Sequence, residues 1–82
     1  MLLDNLKESI KMVGLKQSAR AVETGAAKLA YVAADAQDKV REPFLRLCEE
    51  HGVPVEVVDT MEQLGKACGI KVGAAVAAVL KD

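Results

Sequence analysis

Aromatic side chains are nearly missing from this chain: Tyr31 and Phe44 stand alone, and there is no tryptophan. A core must therefore come from Val, Leu, Ile and Ala, and a sheet surface bearing exposed rings for stacked bases is excluded. Long apolar runs are lacking too. The longest, Gly73 to Leu80, falls far short of the roughly 20 residues that cross a bilayer. Asp4, Lys7 and Glu8 interrupt the first turns, unlike the apolar segment of a secretory leader, so a soluble cytoplasmic protein with no membrane partner is expected. Cysteine is limited to Cys48 and Cys68, with no C-x-x-C pair. Neither a zinc site nor a disulfide framework is signalled, and two buried free thiols are expected.

Catalytic groupings are equally sparse. His51 is the single histidine, placed where a histidine supports a helix C-terminus. The neighbouring carboxylates Asp35 and Asp38, or Glu49 and Glu50, read as solvated faces. Gly65, Gly69 and Gly73 form neither G-x-x-x-x-G-K-[ST] nor G-x-G-x-x-G. The expectation is a protein that is no enzyme and holds no cofactor or metal.

What is present is the composition of a folded domain. Eighty-two residues, 51% hydrophobic and 28% charged, suit one domain over residues 1–82 with one core and one working surface. The formal net charge is -1, but the signs are segregated. Lys7, Lys11, Lys16, Arg20 and Lys28 dominate the first third, and Lys66, Lys71 and Lys81 dominate the last stretch. Asp35, Asp38, Glu42, Glu49, Glu50, Glu56, Asp59 and Glu62 make the middle acidic. A fold that joins the two ends creates a basic surface despite the overall balance. The Gly14–Arg20 and Gly69–Val72 segments are accordingly expected as neighbours at one end of a sheet, with the Pro43–Glu50 face elsewhere.

Leu3, Leu6, Ile10 and Val13 recur every three or four residues, predicting an amphipathic helix from near Asp4 or Asn5, with Asn5 and Glu8 spaced as in a capping box. Lys11 to Val13 can instead form a short strand ending at Gly14. Gln17 to Thr24 predicts a helix closed by Gly25, and the apolar run Lys28 to Ala34 predicts a buried strand. Val40, Phe44, Leu47 and Cys48 share a helical face that ends at His51-Gly52. Pro43 belongs in a first turn, which starts that helix near Arg41 to Pro43. Val53 to Val58 is a strand with Pro54 at its start, and Thr60 with Gln63 caps a helix closing at Gly69. Ile70 to Gly73 is a loop. Ala74 to Leu80 reads as a strand, although AAVAAVL has strong helix propensity. The alternation predicts an α/β fold, a three-layer α/β/α sandwich on a mixed sheet of about four strands.

Two segments concentrate hydrogen-bond donors near chain turns: VGLKQSAR at Val13–Arg20 and GKACGIKV at Gly65–Val72. Gly14 permits close approach, and the helix start after it offers free N–H groups and the positive end of a dipole. Lys16 and Arg20, four apart, share a face with Gln17 beside them. Lys, Arg and Gln can all donate to base edges, yet the same spacing also describes an ordinary solvated helix.

Gly14-Leu15-Lys16-Gln17-Ser18-Ala19-Arg20-Ala21-Val22, followed by Gly25, resembles the signature of the kink-turn RNA-binding ribosomal protein family of the archaeal protein L-seven-Ae. Leu64 to Ala75, LGKACGIKVGAA, resembles that family's second signature. The likeness spans nearly the whole chain and is greatest to small bacterial members. It implies an α/β/α sandwich with a mixed four-stranded sheet, which makes the last segment a strand. It further implies a monomeric ribosomal or ribosome-associated protein, working in translation, that stabilises kink-turn RNA with tandem sheared G·A pairs, in rRNA or an mRNA riboswitch element. The residues implied for RNA contact are Gly14, Lys16, Gln17 and Arg20, with Ile70, Lys71 and Val72 against extruded nucleotides; Lys28, outside both signatures, is a further candidate as a phosphate contact.

Four positions depart from the archaeal pattern. Lys16 and Gln17 stand where Asn and Glu are found, Leu15 replaces a hydroxyl residue that would cap the helix, and Lys71 stands where an acidic residue is common. The alternative implied by the same resemblance is a protein-interaction module in a stress-response or translation context, with the acidic helix Pro43–Glu50 as the partner surface.

Overall fold

The computed structural model describes residues 10–81. The helix expected over the first residues lies outside this range except at its end, where the described chain forms a strand over Lys11–Val13, the alternative considered above. The described chain begins with strand β1, Lys11–Val13, followed by helix α1, Leu15–Glu23. Strand β2, Ala27–Ala33, leads into helix α2, Asp38–Glu50. Strand β3, Val55–Val58, helix α3, Met61–Cys68, and strand β4, Val76–Leu80, complete the order.

The sheet order is β1-β4-β2-β3, with β4 antiparallel to both β1 and β2 and β3 parallel to β2. Strands β1, β2 and β3 thus point one way and β4 the other. Each of the first three is followed by a helix, so all three helix N-termini collect at the sheet end where β4 begins. That end places the site.

Helices cover both faces, as the alternation predicts. On one face α1 and α2 bury Val22, Phe44 and Cys48 against Val32, Val76 and Ala78. On the other, α3 buries Leu64 and Cys68 against Tyr31, Ala77 and Val79. Alternate residues of β4 serve opposite faces, and this double burial overrides the helix propensity of its alanines. An intrinsic preference of well under 1 kcal/mol per residue cannot compete with two buried faces and two ladders.

Thr60 caps α3, its side-chain oxygen accepting from the Gln63 N–H at 3.0 Å, and Gly69 closes it with φ of 81°. Helix α2 departs from expectation. It starts at Asp38, not near Pro43, and carries Pro43 in its second turn. The first turn is secured without Pro43: the Val40 and Arg41 N–H groups both donate to Gln37 O, at 3.0 and 2.9 Å. Arg41 also pairs with Asp38 at 2.5 Å and donates to the Ala34 carbonyl. The N–H that proline lacks would have served the Lys39 carbonyl, and Lys39 is exposed, so water can replace it. Strand β3 begins after Pro54, whose carbonyl accepts from the Ala30 N–H at 2.9 Å.

Candidate functional site

Residue 14 turns the chain from β1 into α1 with φ of 96° and ψ of 157°. Only glycine occupies that region without strain. The Gly14 N–H donates to the Val76 carbonyl at 3.0 Å, which fastens the start of α1 to the start of β4. The loop of residues 69–75 runs directly into β4. The two donor-rich segments are therefore neighbours at one end of the sheet, as the charge map requires.

Gly14 is the N-cap of α1 and supplies no side-chain cap bond, so N–H groups of the first turn are left for solvent or a ligand. Lys16, Gln17 and Arg20 are exposed, while Ser18 between them is fully buried and donates to the Met12 carbonyl at 3.2 Å. The buried hydroxyl locks the rotation of α1, so the three polar side chains face outward. Gln17 and Arg20 also line a groove of about 340 Å³ between α1 and the β1–β4 side, floored by Met12, Ala21 and Leu80.

Loop 70–73 is pinned from beneath. A Cβ on Gly65 would overlap the Val72 carbonyl, so the loop backbone lies directly on α3. Ala74 N–H donates to Met61 O at 3.0 Å, and Ile70 N–H to Gly65 O at 3.0 Å. Ile70 packs on the core beneath, whereas Lys71 is exposed and Val72 is 71% exposed. Beside the loop lies a hollow of about 500 Å³, lined by Ile70, Lys71 and Val72 together with Asp35, Glu62 and Lys66.

Asp35 and Glu62 give this hollow a mixed character that the charge map did not anticipate. Glu62 lies 3.4 Å from Lys66, one turn along α3. Asp35 is not on a helix face: it precedes α2, and its carboxylate accepts the Met61 N–H at 2.8 Å. No local pattern could have revealed that bond, since its partners are 26 residues apart.

Lys28 is not brought to this end. It lies near the start of β2, where Ala27 pairs with Leu80 and the ladder shifts register before Leu29. That is the opposite end of the sheet from Gly14 and Val76. The C-terminal half of α2, with Glu49, Glu50 and the C-cap His51, also points that way. Burial raises the thiol pKa of Cys48, and of Cys68 despite the opposing pull of Lys11, so both stay protonated at neutral pH. Burial, then Glu56 and Cys68, likewise raises Tyr31.

Over residues 3–82 the sequence matches the model of the Ribosomal protein L7Ae/L30e/S12e/Gadd45 family. The chain belongs to this family. Among curated relatives of this L7Ae-family chain, RNA-binding protein TTE2299 of Caldanaerobacter subterraneus is 43% identical over 68 residues, 83% of each chain. RNA-binding protein YbxF of Geobacillus stearothermophilus is 44% identical over 70 residues, 85% of each. Among solved structures, the 15.5kD RNA binding protein of Giardia lamblia superposes with a TM-score of 0.88 at 29% identity, covering 99% of this chain and 72% of that one. No helix among the described residues is long and apolar enough to cross a membrane.

Proposed function

We propose that this protein binds RNA, that its target is a kink-turn, and that the sheet end bearing the α1 start and the 70–73 loop is the contact surface. The observation that carries the reading is the hydrogen bond between Gly14 N–H and Val76 O, which fastens the first donor-rich segment to the start of β4, the strand into which the second segment's loop runs. It is supported by relatives that bear the name RNA-binding protein.

In this reading the first turn of α1 meets the G·A pairs. Arg20 and Lys16 donate to guanine O6 and N7, and the Gln17 amide accepts from a guanine donor. The unfilled N–H groups and dipole of α1 favour a nearby phosphate. Ile70 and Val72 offer apolar surface to a nucleotide extruded from the kinked strand, in the hollow beside them, while Lys71 reaches phosphate. The protein performs no chemistry; it holds a bent RNA in place. It acts in the cytoplasm, on an rRNA or mRNA element. Lys28 is at most a remote phosphate contact.

The test is binding of the purified protein to a kink-turn RNA and to a plain duplex of equal length. Tighter binding to the kink-turn is expected, with affinity for both falling as salt rises. Equal affinities would leave only electrostatic attraction. Binding to neither would favour a protein-interaction role for the fold.

A further inference from the structure

We infer that Asp35 is a positioning residue for loop 70–73, acting from a third chain segment that belongs to neither donor-rich stretch. This rests on the proposed RNA site, of which the loop is half.

The turn carrying Asp35 is itself fixed to the sheet. Ala34 N–H donates to Val58 O at 2.7 Å, and Ala36 N–H to Ala33 O at 3.1 Å. Arg41 holds the Ala34 carbonyl and Asp38 from the side of α2. From this anchored turn the Asp35 carboxylate accepts the Met61 N–H, one of the donors at the start of α3 that have no partner within the helix. Thr60 serves a different one, that of Gln63. Met61 then passes the constraint on, because its carbonyl accepts from Ala74 N–H at 3.0 Å and its side chain abuts Gly73. Four residues of α3 further on, Gly65 carries the Val72 carbonyl directly. Asp35 thus sets where α3 begins, and α3 sets where the loop lies.

The same carboxylate lines the hollow beside Lys71 and Val72. A negative charge there repels RNA phosphates, so electrostatics alone would disfavour it. Retaining an acceptor at this position makes sense for the Met61 bond, and this separates the two effects. Asp35→Asn removes the charge and keeps an acceptor oxygen; Asp35→Ala removes both.

Both variants and the parent should be titrated against the kink-turn RNA and the equal-length duplex, with amide exchange of Met61 and Ala74 followed in the free proteins. Positioning predicts that Asp35→Ala weakens kink-turn binding by about tenfold, the worth of one charge-assisted hydrogen bond, without weakening duplex binding. Asp35→Asn should restore kink-turn affinity to the parent level or above. Exchange at Met61 and Ala74 should accelerate in the Ala variant alone. If Ala and Asn both tighten binding, or if exchange at Ala74 is the same in all three, the positioning role is overturned. Failure of the parent itself to prefer the kink-turn would refute the RNA reading instead, and the exchange data would still decide whether Asp35 holds the loop.

Discussion

The two halves of the proposed interface are built on opposite principles. The α1 half displays Lys16, Gln17 and Arg20 from a helix whose rotation is set by the buried Ser18 hydroxyl. Its side chains project into solvent, and each can change without moving the backbone. The loop half is defined by its backbone: Val72 lies on Gly65, Ala74 bonds to Met61, and Met61 bonds to Asp35. Specificity can therefore be tuned residue by residue in the first half, whereas the second responds as a unit to changes beneath it. Substitutions should separate accordingly.

The largest effect is expected at Gly65, which makes no proposed contact with RNA. Gly65→Val forces the Val72 carbonyl off α3 and should cost about 3 kcal/mol in denaturant unfolding, an overpacking penalty, with loss of kink-turn affinity greater than stability explains. Retention of full affinity would show that the loop is not shaped from below. Gly14→Ala comes next. With φ of 96° the strain should cost about 2 kcal/mol of stability, read from the same unfolding curves. The variant tests whether the α1 half, too, depends on one backbone position.

Side-chain losses in α1 should be smaller and confined to RNA. Arg20→Ala is expected to cost about 1.5 kcal/mol of kink-turn affinity and relax discrimination at the G·A pairs, with the unfolding midpoint unchanged. Gln17→Leu should cost a similar amount by leaving a guanine donor unpaired, while Gln17→Glu should keep the preference for those pairs. A Leu variant that binds as tightly as the parent would remove Gln17 from the interface. Smallest of all is Lys28→Ala. At the far end of the sheet it should shift affinity by less than about 0.5 kcal/mol, equally for matched and mismatched RNA, in titrations at several salt concentrations. A large, sequence-dependent loss there would enlarge the interface well beyond the two halves.

Much of this molecule is legible in local pattern. The Thr60 cap, the Gly69 stop and the buried run of β2 each report an interaction within a few residues, and each is found within a residue or so of its expected place. The proline rule alone misplaces the α2 start, because the first turn is held by Gln37, Asp38 and the Ala34 carbonyl, ahead of Pro43. Asp35 is exposed, as a solvated carboxylate is expected to be, but its bond to the Met61 N–H leaves no local trace because the partner lies in another element. Nothing near Lys28 in sequence separates it from Lys16 or Lys71, and only the strand direction of β2 does.

The sequence by itself determined the α/β alternation, the apolar small-residue core and the two donor-rich segments, because caps, periodicity and glycine requirements act over one or two turns of chain. Tertiary structure is what holds β4 as a strand against the helix propensity of its alanines, and it alone decided that Lys28 falls at the opposite end of the sheet from Gly14. It also decided that a carboxylate from the middle of the chain secures the loop near its end. Those outcomes depend on strand pairing and on which backbone N–H groups find acceptors after the layers close, quantities that no local window of residues contains.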